Sequence, residues 1–275
     1  MQVLTASELR AGVRALGLAG SAVCVHASLR SFAARIDGGP DALIDAFIDE
    51  DCTLLVPAFS DDFRIPPPAD QRPPRNGWNY RETSAHAQPD SGRIFTPDSR
   101  EVTVADMGLL AAGLVARPDR RRGNHPLVSF AAIGPSAEAL IAPQQPLDSL
   151  APLRVLAEPG GFVLLMGVGL TAMTLIHLAE ARAGRNLFRR WAHDRAGRPM
   201  MVETGGCSNG FAAFAAHLAP CARESVVGAS RWRAFPVAAA LTAATQAIRA
   251  DPTITACANP GCERCRDAVA GGPLV

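Results

Sequence analysis

The chain has 275 residues, 48% of them apolar and 19% charged, with a formal net charge of +1. That balance argues against disorder, and so small a charge supplies no global attraction for nucleic acid or an anionic membrane surface. No apolar run approaches 18 residues without Gly, Pro or a charge, and Met1-Gln2-Val3-Leu4 lacks the basic-then-apolar order of a signal peptide, so a cytoplasmic protein with no membrane or nucleic-acid partner is expected.

Thr5 and Glu8 have capping-box spacing ahead of Leu9, Val13, Leu16 and Leu18, which predicts an opening amphipathic helix that ends at Gly20. Val23-Cys24-Val25-His26 predicts a first strand running toward Ser28. Gly38-Gly39-Pro40 opens a helix through Ala42, Leu43, Ala46, Phe47 and Ile48, and Thr53 to Pro57 forms the next strand. This order predicts an α/β fold: a central mixed, largely parallel sheet flanked by helices. From Ser60 to about Arg93 the pattern gives way to Pro, Asp, Arg and Gln around Trp78 and Tyr80. A loop this long is functional or disordered, and its central aromatics need burial, so an ordered excursion at about 60–93 within one 275-residue domain is expected. Further on, Met107 to Leu110 predicts a helix and Val128 to Ile133 a strand. Phe162 to Gly169 reads as a buried strand whose glycines permit a tight turn into a helical Thr171–Ala183. Weaker strands at 187–191 and 200–202, a turn at 205–210 and an Ala-rich helix from Val237 to Ala250 complete the pattern.

Chemistry concentrates after the Phe162 strand. His177 and Glu180, three residues apart, share a helix face, where a carboxylate can fix the imidazole tautomer of a general base. Thr174, one turn earlier, can donate to a developing oxyanion; the plainer alternative is a surface ion pair with a capping threonine. Ser28-Leu29-Arg30-Ser31 ahead of Gly38-Gly39 offers amides and a cation to a pyrophosphate, or simply makes turns. Arg120-Arg121-Arg122 beside His125 is a solvated basic face, or else a ligand-phosphate contact or a loop ordered by His125, and Asp61-Asp62 is a solvated loop or a meeting point for a cationic substrate. His26 and His217 read as structural. Seven cysteines, an odd number, with Cys24 and Cys52 in apolar runs, fit reduced thiols. Cys207 reads as a packing residue rather than a nucleophile. Cys257, Cys262 and Cys265 in the spacing C-x4-C-x2-C resemble part of a zinc site, but a structural site needs four ligands, so no metal is assigned.

Together, Val25 to Ser31, Gly38-Gly39, Thr53 to Pro57, Phe95-Thr96-Pro97, Met107-Gly108, His125-Pro126, Ser129-Phe130, Leu164 to Gly169, His177 to Glu180 and Gly205-Gly206-Cys207-Ser208 resemble the aminoglycoside 3-N-acetyltransferase family, of the antibiotic acetyltransferase fold. The resemblance implies acetyl-CoA as donor, bound along Ser28, Leu29, Arg30 and Ser31 and beside Thr96 and Ser129. It implies direct transfer to an amine of a small, aminoglycoside-like molecule, with His177 as base, Glu180 in support and Thr174 at the oxyanion. The acceptor's ammonium is expected to meet Glu180 and Asp62, with Trp78 and Tyr80 forming one wall. The chain departs from the family pattern in lacking Gly at Phe32 and Ala33 and in its near-neutral charge, which leaves a less cationic amine as an alternative acceptor. The terminal cysteines leave a zinc or thiol protein without transferase activity as the rival class.

Overall fold

The computed structural model describes residues 3–80, 90–158 and 160–275. A short β1 (Val3–Leu4) leads into α1 (Ala6–Ala15), β2 (Ala22–Ala27), β3 (Arg35–Ile36), α2 (Gly39–Ile48), β4 (Thr53–Pro57) and β5 (Arg64–Ile65). The middle of the chain supplies α3 (Val104–Ala116), β6 (Arg121–Arg122), β7 (Phe130–Ile133), α4 (Ala137–Ile141), α5 (Ala151–Ala157), β8 (Phe162–Met166) and α6 (Leu175–Arg182). The last third adds β9 (Phe188–His193), β10 (Pro199–Thr204), α7 (Ala215–Leu218), β11 (Arg223–Val227), β12 (Ser230–Pro236), α8 (Val237–Ala250) and α9 (Glu263–Val269).

Local chemistry sets where these elements start and stop. The Glu8 amide donates to Thr5 Oγ1 at 3.3 Å while the Thr5 amide donates to Glu8 Oε2 at 2.8 Å, so the predicted capping box starts α1. The helix ends earlier than Gly20, because Gly17 already takes a left-handed φ of 65° just past its last turn. The expected helix over Thr171–Ala183 is also divided: a 3-10 turn at Leu170–Ala172 precedes α6.

Seven strands bond in the order β11-β12-β8-β2-β4-β7-β6. Only β2 makes parallel pairs, with β4 and β8, and the outer pairings are antiparallel. The sheet is therefore mixed, as expected, with its parallel part confined to three central strands rather than extending over most of it. Both its faces are covered, which is why its strands read as continuous apolar runs. Val23, Val25, Leu54, Val56 and Leu164 face α1, α2 and α3 through Leu9, Val13, Phe47 and Leu114. Cys24, Leu55, Val163 and Leu165 face the other way, onto Leu153 of α5, Ile176 of α6 and Leu241 and Ile248 of α8. Each such aliphatic side chain, fully buried, contributes about 1.5–3 kcal/mol.

A second, three-stranded antiparallel sheet, β10-β9-β5, has its own small core of Phe63, Phe95, Leu127, Ala192 and Val202. Part of the expected excursion at 60–93 builds this sheet, since β5 pairs with β9, and Ile94, just past the excursion, bridges to His193. The Asn76 side chain fastens the next stretch to the β9 backbone, accepting from the Arg189 amide at 2.7 Å and donating to the Arg189 carbonyl at 2.8 Å. The rest of the excursion, residues 81–89, lies outside the described residues.

Candidate active site

Because β2, β4 and β8 run parallel, their C-terminal ends share one edge, the position where ligands gather in open α/β sheets. A cavity of about 440 Å³ opens there, lined by Val25, His26 and Ala27 at the end of β2, Val56 and Pro57 at the end of β4, and Val168 after β8. Met107 and Leu110 of α3 form one side, and Thr174 just before α6 and His177 within it form another. Gly205, Gly206 and Ser208, which follow β10, face them with Trp78, Arg190 and Arg264.

α6 delivers a buried polar chain to this cavity. His177 Nδ1 lies 2.7 Å from Glu180 Oε2, and Arg185 Nη1 donates to Glu180 Oε1 at 2.7 Å and to Thr255 Oγ1 at 2.8 Å. Arg185 also donates to the Pro252 carbonyl. All three residues are less than a tenth exposed, so the pairing is not the surface ion pair that spacing alone permits. A carboxylate on Nδ1 makes that nitrogen the proton carrier and leaves the Nε2 lone pair free. Phe211 packs edge-on against the imidazole at 4.9 Å between ring centroids. Gly205 leaves room for the ring: a Cβ there would sit 2.6 Å from His177 Cδ2 and 2.8 Å from Nε2. Thr174, at the N-terminus of α6, makes no side-chain capping bond, and its hydroxyl is unengaged among the described residues on the cavity wall.

The structure assembles His177 and Thr174 at the cavity and leaves several expected site residues elsewhere. Both oxygens of Glu180 are committed to His177 and Arg185, and Glu180 does not line the cavity, so its expected contact with the acceptor ammonium does not fit. Asp62 is also off the wall; it accepts from Ser60 Oγ at 3.1 Å and pairs with Arg93 at 3.8 Å, while Asp61 pairs with Arg64. Trp78 lines the cavity beneath the Arg190 guanidinium, 5.2 Å from the ring centroid. Tyr80 instead faces a separate depression beside Pro74 and Asp267, with its hydroxyl accepting from Asn76.

On the donor side, Ser129 is fully buried, accepting from Arg122 Nε at 3.0 Å and donating to the Ala58 carbonyl at 3.1 Å, so it presents nothing to a ligand. Arg122 is a buried strut that also holds the Ser99 and Glu101 carbonyls; Arg121 pairs with Glu138, and Arg120 donates to Asp98. His125 orders the adjoining loop, its Nδ1 accepting from the Leu127 and Val128 amides and its Nε2 donating to the Glu203 carbonyl at 2.8 Å. Burial pushes His125 down to about 4, so it carries no charge at neutral pH. In the loop after β2, the Ser31 hydroxyl donates to the Ser28 carbonyl at 2.6 Å and meets Ser230 at 2.7 Å, and half-buried Leu29 packs on the core. Arg30 is exposed beside them with no ion pair among the described residues, and half-buried Thr96 donates its amide to Ser99 Oγ at 3.0 Å.

The family model for aminoglycoside 3-N-acetyltransferases matches residues 24–249. This chain belongs to the aminoglycoside 3-N-acetyltransferase family. It is 35% identical over 187 residues to aminoglycoside N(3)-acetyltransferase VII of Streptomyces paromomycinus, a match that covers 66% of this chain and 61% of that one. The chain thus matches less than two thirds of the length of such curated relatives. Among solved structures it is similar to the aminoglycoside acetyltransferase AAC(3)-IVa, with TM-score 0.77 and 28% identity over 98% of this chain and 99% of that one. It is also similar to AAC-IIIb in a binary complex with CoASH, with TM-score 0.71 and 26% identity over 90% and 97%.

In this member of the aminoglycoside 3-N-acetyltransferase family, three cavity residues carry little sequence signal. Arg190 sits in the weakly patterned β9, and Arg264 lies between Cys262 and Cys265, where the thiols draw attention first. Asp106 precedes the kink at Gly108 in α3 and is the only carboxylate among the described lining residues. His26, read as structural, also reaches the wall, where burial pushes it down to about 4 and keeps it neutral.

Proposed function

We propose that this chain transfers an acetyl group from acetyl-CoA to a primary amine by direct attack, with His177 as general base. The observation that carries this reading is the buried Arg185–Glu180–His177 chain ending in the cavity wall. His177 Nε2 takes the proton that the amine sheds as its nitrogen bonds to the thioester carbonyl carbon. Glu180 stabilises the imidazolium so formed, and Arg185 holds Glu180 in orientation through its bond to Oε1. The Thr174 hydroxyl, unengaged among the described residues, donates to the oxyanion of the tetrahedral adduct. As the carbon–sulfur bond breaks, His177 returns its proton to the departing thiolate, so no atom is left unaccounted for. Cys207 is not needed, since it does not line the cavity and its sulfur is turned toward three other cysteines.

The donor's anionic end is assigned to the Ser28–Ser31 loop through Arg30, which is exposed and has no ion pair among the described residues, with Thr96 as the remaining expected contact. Thiol release from acetyl-CoA across a panel of amines tests the proposal. Release that depends on the amine supports it; no release with any amine, together with no calorimetric binding of CoA, overturns it.

The acceptor follows the family name to an aminoglycoside amine, but one observation favours a less cationic molecule. Among the described residues, Arg64, Arg190 and Arg264 line the cavity with one carboxylate, that of Asp106. Burial, and then the nearness of Arg64 and Arg264, pushes Arg190 down to about 10, which leaves it charged at neutral pH. A wall of this sign attracts an acid-bearing amine and repels a polycation. Comparing kcat/KM for an aminoglycoside and for an amino acid-like amine in the same panel separates the two readings.

A further inference from the structure

Cys207 and the sequence-clustered Cys257, Cys262 and Cys265 converge beside the cavity. Cys207 follows β10, Cys257 and Cys262 follow α8, and Cys265 lies in the first turn of α9. Their four sulfur atoms all lie within 4.8 Å of one another, and none is in a disulfide. Zinc–sulfur bonds of about 2.3 Å arranged as a tetrahedron separate the sulfurs by roughly 3.8 Å, so the cluster matches that shape with little closing. The surrounding backbone is built the same way. The Cys262 amide donates to the Asn259 carbonyl at 3.1 Å and the Gly261 amide to Asn259 Oδ1 at 2.9 Å, which folds the x4 segment into a turn. The Cys257 amide donates to Cys265 Sγ at 3.3 Å, a contact that supports charge on a ligating sulfur. Sequence spacing supplies three of these ligands, and the fold supplies the fourth.

We infer that Cys207, Cys257, Cys262 and Cys265 hold one zinc ion as a closed, four-thiolate structural site. Four protein ligands leave no open position for substrate, so the ion does no chemistry on the acyl group. Its work is mechanical. Cys207 directly follows Gly205 and Gly206, which pack against His177 and Phe188, and Arg264 between two of the ligands lines the same cavity. The metal thus ties the loop that seats the imidazole to the C-terminal helix, closing a span of sequence that no disulfide closes. The inference stands on the cysteine geometry and does not depend on the acetyl-transfer reading.

Metal content of the full chain, produced without a metal-binding tag in zinc-supplemented medium, provides the test. Plasma mass spectrometry should find one zinc per chain, and an organomercurial should release it in step with four thiols, read with a chromophoric zinc indicator. Cobalt(II) exchanged into the site should show the intense visible bands of tetrahedral thiolate coordination. A Cys257→Ser, Cys262→Ser double variant should bind zinc at least tenfold less; because that variant can fail to fold, the mercurial and cobalt measurements on the unaltered protein decide independently. Zinc below a tenth of stoichiometry with all four thiols reactive in the native protein, or a disulfide mapped between any two of them, overturns the inference.

Discussion

At the scale of single residues, His177 is defined by three neighbours acting on different parts of its ring: Glu180 at Nδ1, Phe211 against its edge and Gly205 beside Nε2. Replacing it with Ala removes the proton acceptor while leaving the Ser28–Ser31 loop untouched. His177→Ala should therefore lower kcat by about two to four orders of magnitude with CoA affinity nearly unchanged, as read by steady-state kinetics beside calorimetry. Equal turnover in that variant would refute the general-base role. The pairing of His177 with Glu180 is legible from their i,i+3 spacing, since a helix must put them on one face. Arg185 is not, because it reaches back past the end of α6 from a loop, and no local period predicts that contact. The same omission explains why Glu180 seems free to meet substrate when only the sequence is read.

At the scale of elements, strands and helices buried on two faces carry strong apolar runs, so β2, β4 and α8 can be placed from sequence almost to the residue, whereas β8 starts at the expected Phe162 but ends at Met166, before the glycines that the apolar run includes. The β11–β12 hairpin cannot, since on β11 only Val227 is buried and the edge strand shows no alternation. The junction after β8 shows how tightly an element end can be specified. Gly167 has a φ of 63°, and a Cβ there would lie 1.9 Å from Ser31 Oγ, inside the hydroxyl pair that Ser31 makes with Ser230. Gly167→Ala combines a left-handed conformation costing roughly 1–2 kcal/mol with expulsion of the Ser31 side chain. Differential scanning calorimetry should show Tm lowered by about 4 °C or more. The Kd for CoA should rise as well, because Arg30 adjoins the displaced serine; an unchanged Kd would detach that loop from the donor.

For the whole molecule, two charge patterns set behaviour that no single contact predicts, and the first is the pH dependence of stability. Burial pushes both His26 and His125 down to about 4. An unfolded histidine titrates near 6.5, so between about pH 6.5 and 4 the unfolded chain binds protons that the folded one refuses. Stability is then full above that window and falls as pH drops through it, by up to roughly 3 kcal/mol for each group. Thermal melts from pH 7 to 5 should trace the fall, and His125→Ala, less stable at pH 7, should show a shallower slope; parallel slopes would rule His125 out as a source. The second pattern is the arginine wall, which charge counting over the chain cannot reveal because +1 overall conceals three arginines and one carboxylate among the described residues that line one cavity. Arg264 is the most instructive of the three: Arg64 is paired with Asp61 and Arg190 is held by the Asn76 and Arg189 carbonyls, whereas Arg264 is exposed and has no ion pair among the described residues. Reversing its charge therefore alters the field in the cavity with little effect on packing. Arg264→Glu should raise kcat/KM for a polycationic aminoglycoside by about tenfold, equivalent to about 1.4 kcal/mol, and lower it comparably for an acid-bearing amine. Both changes should shrink with added salt, since the interaction is between solvent-accessible charges. If the variant treats the two acceptor classes as the parent does, the wall does not read acceptor charge, and selectivity has to be sought in the shape set by Trp78 and Met107 instead.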